Sequence, residues 1–228
     1  MKRKSTIGIA LLSVLFFAVS CKKEASSNID QNRIYTDYEI VYHESANQTR
    51  AQAMFRLDNQ SGKKIELTYP ARVGFNDQNM AWKNVGGYYH SAYPGNGLNG
   101  SFTYFDFDEN VYENTTVSID PITLPFGFNS ISTNGNFFLP WIGSSIQPGE
   151  TVRVKISGGD QSGSEEFSTS IVGANYITLD QFKLNRLELG TALIEIEREY
   201  VSGIQQSTLA GGRITTRYEA TRILVNIM

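Results

Sequence analysis

Cysteine and histidine are scarce in this chain, and their scarcity excludes several kinds of chemistry. The 228 residues include one cysteine, Cys21, and two histidines, His43 and His90. A disulfide within the chain, a thiolate metal site or a cysteine nucleophile would need a thiol beyond position 21, and there is none. The zinc-binding pattern His-Glu-x-x-His is also missing. We therefore predict that the protein has no metal site and no cofactor.

Other catalytic and binding signatures are missing as well. The serine-hydrolase pattern Gly-x-Ser-x-Gly does not occur, and the Gly/Ser-rich stretch 159–163 is typical of a loop. The acidic run Asp106–Asn110 lacks the glycine and the final glutamate of a calcium loop, which favours a hairpin tip. Basic residues are scattered among acidic ones in a chain of net charge −3, so nucleic acid is not an expected partner.

The first twenty residues have the pattern of a cleaved signal peptide. Lys2, Arg3 and Lys4 precede an uncharged apolar run over residues 7–19. That run would form about 20 Å of helix, which is too short for a hydrocarbon core of about 30 Å. Cleavage after residue 20 removes three basic residues and no acidic ones, so the formal charge changes from −3 to −6.

The signal peptide ends in Ala18-Val19-Ser20-Cys21, which resembles the lipobox of bacterial lipoproteins. The resemblance implies that Cys21 receives a diacylglyceryl group, that acyl chains hold the protein at a membrane, and that the cell envelope is its location. We expect the outer membrane, and leave open which face the protein occupies. Residues 21–33 are small and polar, and their composition predicts a flexible lipidated tether.

The remainder of the chain predicts an all-β protein. Short runs of alternating apolar and polar residues, such as Arg50–Leu57 and Thr151–Ile156, are separated by turns rich in Gly, Asn and Asp. Its length exceeds that of one typical sandwich, and Asp120-Pro121 would end a strand. We therefore predict two β-sandwich domains, residues 34–120 and 121–228, after the cleaved signal peptide and the tether.

The segment 187–196 resembles the turn into strand F of immunoglobulin-like and fibronectin-like sandwiches, with Leu193 where a tyrosine usually stands. Tandem sandwiches of this kind occur in surface lipoproteins of the Bacteroidetes type, which the chain also resembles. The resemblance implies an architecture and no particular activity.

One aromatic region predicts a candidate ligand site. Trp82, Tyr88, Tyr89 and Tyr93 lie beside several Gly and Asn residues, and residues 84–100 are expected to form a long loop. Flat amphipathic rings in a loop suit stacking on sugars or contact with a protein. The alternative is that these rings cover the end of the sandwich or the seam between domains.

Three functions are compatible with these features. The first is a non-enzymatic binding or structural component of the cell envelope, with no catalytic residues and with an envelope protein or a glycan as partner. The second is a carbohydrate-binding surface lipoprotein that uses the Trp82–Tyr93 region. The third is a hydrolase of the glycoside-hydrolase type, which would need two carboxylates brought together only by the fold.

Overall fold

The computed structural model describes residues 24–158 and 163–228, and this part of the chain is almost entirely β-structured. In the first half the strands are β1 (Glu24–Ala25), β2 (Ile34–His43), β3 (Gln48–Leu57), β4 (Lys64–Glu66), β5 (Arg72–Phe75), β6 (Gln78–Asn79), β7 (Ala81–Lys83), β8 (Tyr88–Pro94), β9 (Ser101–Phe105) and β10 (Val111–Thr115). In the second half they are β11 (Ser130–Ile131), β12 (Phe137–Pro140), β13 (Glu150–Gly158), β14 (Ser164–Thr169), β15 (Tyr176–Leu179), β16 (Gly190–Gly203), β17 (Gly212–Glu219) and β18 (Ile223–Ile227). The all-β prediction is confirmed.

Helical structure among the described residues is limited to short segments. They are α1 (Gln181–Leu184) and the 3-10 turns Ser26–Asn28, Gln31–Arg33 and Glu44–Ala46. Asp180 caps α1 by accepting hydrogen bonds from the backbone N–H groups of Phe182 and Lys183. No helix in the described ranges is long and apolar enough to cross a membrane.

The main structural unit is a large sheet with the strand order β1-β4-β3-β2-β17-β16-β13-β14. Its strands alternate as their sequences predict. In β3, Ala51, Ala53 and Phe55 are buried on the inner face, while Gln52 and Met54 alternate with them on the outer face. β16 pairs first with β18 and then with β17, so the long C-terminal strand is broken between residues 219 and 223. Arg222 lies at this break.

A second sheet, of order β10-β9-β5-β6, covers part of the inner face. The ring of Tyr38 stacks on Phe102 with centroids 4.4 Å apart, and the ring of Phe55 lies 4.6 Å from Tyr104. These contacts join the two sheets into a sandwich. The hairpin predicted around residues 108–110 forms between β9 and β10. At its tip the buried Asp106 accepts hydrogen bonds from the backbone of Asp108 and Asn110, which accounts for the acidic run.

Strand pairing crosses the predicted domain boundary at Asp120. β2 from the first half pairs in parallel with β17 from the second half, from Thr36 opposite Gly212 to His43 opposite Glu219. The buried apolar residues of both halves also belong to one core cluster. Residues 34–120 and 121–228 therefore share one sheet, and the division into two domains stays a prediction.

From Glu24 onward, the structure differs from the flexible tether that was predicted for residues 21–33. Residues 1–23, which include the signal peptide and Cys21, lie outside the described residues. From Glu24 onward the chain is packed: β1 pairs in parallel with β4, and Ser26 and Gln31 are buried. The side chain of Gln31 donates to the carbonyl groups of Ser26 and Ile29 and accepts from the backbone N–H of Phe107. This correction shortens the predicted tether to the segment before Glu24, because hydrogen bonds hold the remainder on the fold.

Candidate functional site

An open trough crosses the outer face of the large sheet. Its volume is about 750 Å³. The residues that line it come from strands β2, β3, β8, β13, β14, β16 and β17: Asp37, Glu39, Gln52, Met54, Arg56, Tyr88, Arg153, Glu166, Glu197, Glu199, Val201, Arg213, Thr215 and Arg217. We call this surface the charged trough.

The alternation of the strands explains why these side chains share one face. In β16 the buried Ile194 and Ile196 alternate with Glu195 and Glu197, which project from the other face. The same period places arginines on the outer face of β17 and acids on the outer face of β2. Pairing of these strands then brings opposite charges side by side.

Arg217 is the centre of the ion-pair network in the charged trough. Its Nη2 lies 3.1 Å from Oε1 of Glu39 and 2.8 Å from Oε2 of Glu199. Arg153 approaches from the other side, with Nη1 3.2 Å from Oε1 of Glu197 and 2.8 Å from Oε2 of Glu199. Glu199 is thus held between two guanidinium groups.

The charged trough is close to electrically balanced. A bidentate pair joins Arg213 to Asp37, with N–O distances of 2.9 and 3.0 Å. In all, five carboxylates and four guanidinium groups line the surface, which is a formal charge of −1. An ion of either sign therefore meets groups of its own sign beside its counter-charge.

Burial and ion pairing move the pKa values of three glutamates in different directions. Burial raises the pKa of Glu39, and Arg217 offsets part of that rise. Burial likewise raises the pKa of Glu197 against the effect of Arg217 and Arg153. Burial also opposes ionisation of Glu199, but hydrogen bonds from Arg153 and Arg217 are stronger in sum and lower its pKa. Two successive outward-facing residues of β16 therefore differ. Glu197 is easier to protonate than an ordinary glutamate, and Glu199 is harder to protonate.

Two smaller cavities extend the charged trough along the sheet. The first, about 230 Å³, shares Glu197 with the trough, and the second, about 280 Å³, shares Glu195 with the first. At the far end His43 Nδ1 lies 2.5 Å from Oε2 of Glu219. Within the described ranges no three His, Cys, Asp or Glu residues are arranged to hold a metal ion.

The aromatic residues predicted as a ligand site do not lie together on one surface. The predicted loop 84–100 contains strand β8, and β8 pairs with both β3 and β7. Tyr89 is buried, with its ring 5.9 Å from Phe55, and burial raises its pKa to about 12. The ring of Trp82 lies 5.0 Å from that of Tyr89. The hydroxyl of Tyr93 donates to the carbonyl of Phe75.

Tyr88 is the exception among the four, because it lines the charged trough. Successive residues of a strand face opposite sides, so Tyr88 is directed away from the core that Tyr89 enters. Tyr89 belongs to the core, and Trp82 and Tyr93 pack against it. The alternative, that the rings cover the end of the sandwich or the seam between domains, also stays a prediction. A part in ligand binding for these four residues stays a prediction.

The sequence analysis did not single out the residues of the charged trough, apart from Tyr88. A signal was present in the alternation of acids with buried isoleucines in β16 and of Arg213, Thr215 and Arg217 in β17. Such alternation identifies an outer face but not the strands that lie beside it.

Comparisons with known proteins do not identify a family for this chain. No protein-family model matches the chain, and no curated protein matches it. Among solved structures the chain is similar to the two tandem V-type regions of VCBP3, a v-region-containing chitin binding protein. The TM-score is 0.21 and the identity 9%, and the match covers 82% of this chain and 99% of that one. A TM-score of this size supports no statement about the fold or function of this chain.

Proposed function

We propose that this protein is a non-enzymatic binding or structural component of the cell envelope, held at the outer membrane by lipid on Cys21, and that its ligand binds in the charged trough. The observation that carries the proposal is the trough itself. It is an open concave surface of about 750 Å³, within the usual range of ligand sites, built on the rigid strands of the main sheet.

The ion pairs favour binding over catalysis. Glu199 accepts hydrogen bonds from Arg153 and Arg217, and its side chain is only 9% exposed. A carboxylate held in this way is a poor base and a poor nucleophile, because protonation or attack would break both contacts. Preformed pairs also hold the surface in one geometry, which reduces the entropy lost when a ligand binds.

One observation favours the glycoside-hydrolase alternative. The pKa of Glu197 is raised while that of Glu199 is lowered, and such a difference is what an acid and a base in one site require. Incubation with neutral polysaccharides and an assay for reducing ends distinguishes the two functions. The binding proposal expects no release above that of a Glu197→Gln, Glu199→Gln double variant, whereas turnover lost only in that variant would establish a hydrolase.

Hydroxyl-radical footprinting tests the binding proposal on the protein with its envelope. Met54 and Tyr88 line the trough and are readily oxidised, while Tyr69 and Phe126 are exposed elsewhere and serve as internal references. We expect purified envelope to protect the first two residues and not the references. Equal oxidation with and without envelope would refute a ligand in the trough.

A matched pair of variants makes the footprint specific. Val201 lines the trough and is 40% exposed, and Val111, on β10 of the other sheet, is 47% exposed. Val201→Trp fills the trough without removing an ion pair, so we expect it to abolish the protection. Val111→Trp adds the same bulk elsewhere and should leave the protection intact.

The lipid anchor has a separate test. Metabolic labelling with an alkyne-bearing palmitate analogue should mark the chain and fail to mark Cys21→Ser. The variant should also leave the membrane fraction, because acyl chains provide the stable anchor. An unlabelled wild-type chain would disprove lipidation without affecting the footprint.

A further inference from the structure

The shape and lining of the charged trough restrict the class of its ligand. A stable protein interface buries about 800 Å² on each partner and is centred on buried apolar or aromatic anchors. Met54 and Val201 are the aliphatic side chains in the trough lining, and neither forms a closed pocket. The trough therefore lacks the apolar centre of a protein interface and suits a narrow polar ligand.

The matched charges restrict the ligand further. An anionic ligand would bring its charge beside Asp37, Glu39 and the other carboxylates, and a cationic one would face four arginines. Arg153, Arg213 and Arg217 are already in ion pairs, so a charged ligand at any of them would compete with a bound partner, as at Arg213–Asp37. Arg56 differs, because its Nη1 donates to the carbonyl of Gly62 rather than to a carboxylate. A neutral ligand leaves every pair in place.

Hydroxyl groups are the neutral groups that suit such a surface best. Each hydroxyl donates one hydrogen bond and accepts up to two. A carboxylate has about four acceptor positions and a guanidinium five N–H donors, so groups already in ion pairs can also bond to hydroxyls. A ligand with hydroxyls along its length can match alternating acids and arginines in any order.

Two uncharged polar side chains of the lining, Tyr88 and Gln52, lie on neighbouring strands. Tyr88, on β8, provides a flat ring, and an aromatic face packs against the C–H groups of a pyranose ring. Gln52, on β3, is opposite His90 of β8 and carries an amide that both donates and accepts. Both side chains are uncharged, so replacing either one removes no ion pair.

We propose that the charged trough binds a neutral, hydroxyl-rich oligosaccharide, with Tyr88 as the stacking surface and Gln52 as a hydrogen-bonding group. This inference rests on the proposed function, since it names the ligand of the same trough. It moves sugar recognition from the Trp82–Tyr93 region as a whole to the outer face of the sheet.

Calorimetric titration of the full chain in detergent tests the ligand class with three matched probes. Cellohexaose is neutral, the hexamer of galacturonic acid is anionic and the hexamer of glucosamine is cationic. At low ionic strength we expect the neutral hexamer to bind at least about tenfold more tightly than either charged one. Tight binding of a charged hexamer with none of the neutral one would overturn the proposal.

Variants that leave every ion pair intact test the site. Tyr88→Ala and Gln52→Ala should each weaken binding of the neutral hexamer by about fivefold or more. Tyr69→Ala is the control, because Tyr69 is 88% exposed and lies outside the trough. Binding of the neutral hexamer that neither trough variant alters would place the sugar elsewhere and overturn the assignment.

The envelope footprint separates failure of this inference from failure of the proposed function. If envelope protects Met54 and Tyr88 but no neutral hexamer binds, the ligand class is wrong and the binding function stands. If neither protection nor titration gives a signal, both are wrong. Maltohexaose and xylohexaose, run alongside cellohexaose, keep the test from depending on one linkage or one sugar.

Discussion

Replacing Arg198 by methionine is expected to lower the free energy of unfolding by about 3–5 kcal/mol. The side chain of Arg198 is fully buried on the inner face of β16. Its guanidinium donates to Oγ and to the carbonyl O of Ser144, both at 2.5 Å, and lies 3.5 Å from Oε2 of Glu150. Methionine fills a similar volume but leaves a buried carboxylate and a carbonyl without these partners.

Urea unfolding followed by tryptophan fluorescence measures this loss. Trp141 is a local probe, because its indole N–H donates to the same carbonyl of Ser144. The midpoint should fall while the slope with urea stays unchanged, since the surface exposed on unfolding is the same. For a chain of this length the loss corresponds to a decrease in Tm of roughly 6–20 °C.

Arg222→Met is the matched control for that substitution. Arg222 also pairs with a glutamate, Glu195, at 2.9 Å, but 55% of its side chain is exposed. An exposed pair contributes about 0–1 kcal/mol, so this variant should unfold close to wild type. A loss below about 1 kcal/mol for Arg198→Met, or equal losses for both variants, would refute the view that the buried arginine holds the 141–150 segment on the sheet.

Three further perturbations probe other parts of the fold. Glu199→Gln should cost about 1–3 kcal/mol at neutral pH and progressively less below about pH 4.5, because stability from a lowered carboxyl pKa is lost as the pH falls. Tyr89→Ala should cost about 3–5 kcal/mol, because it removes a buried ring. Gln31→Ala should cost about 1–3 kcal/mol, because the backbone N–H of Phe107 loses its acceptor.

Each of these three predictions would be contradicted by a specific result. Urea midpoints for Glu199→Gln that differ from wild type by the same amount at pH 3 and pH 7 would show that the carboxylate does not drive the acid sensitivity. A stable Tyr89→Ala variant with altered ligand binding would return that residue to the candidate site. An unchanged midpoint for Gln31→Ala would mean that the hydrogen bonds of Gln31 do not contribute to stability.

The local elements of the fold could be predicted from sequence, because short-range periodicity determines them. The alternation in β3, the hairpin between β9 and β10 and the cap at Asp180 all depend on residues close together in the chain. The segment around Gln31 was less accessible to prediction. Its polar composition is typical of a tether, and only the distant partner at Phe107 gives it a fixed place.

The pairing of β2 with β17 could not be predicted, because about 175 residues separate the strands and many pairings bury the same inner faces. The charged trough depends on that pairing, so it could not be predicted from the sequence either. The aromatic region could be recognised from its composition. Composition does not reveal, however, that Tyr88 and Tyr89 face opposite sides of a strand.

The charges on the outer face of the sheet help to determine the register in which the two halves of the chain pair. The apolar pattern forbids a slip of one residue between β2 and β17, since that would turn the core side outward. A slip of two residues keeps the core inside, so other groups must exclude it. In the observed register Arg213 is opposite Asp37 and Glu219 is opposite His43.

A slip of two in one direction places Arg217 opposite His43, and in the other it places Arg213 opposite Tyr35. Either slip breaks both of these pairs and leaves a single arginine opposite an acid, Arg213 or Arg217 opposite Glu39, so the ion pairs favour the observed register. The surface proposed to bind a ligand is thus also the junction between the first and second halves of the chain. A ligand that spans β2 and β17 binds only the correctly paired sheet, and its binding free energy therefore adds to the stability of that junction.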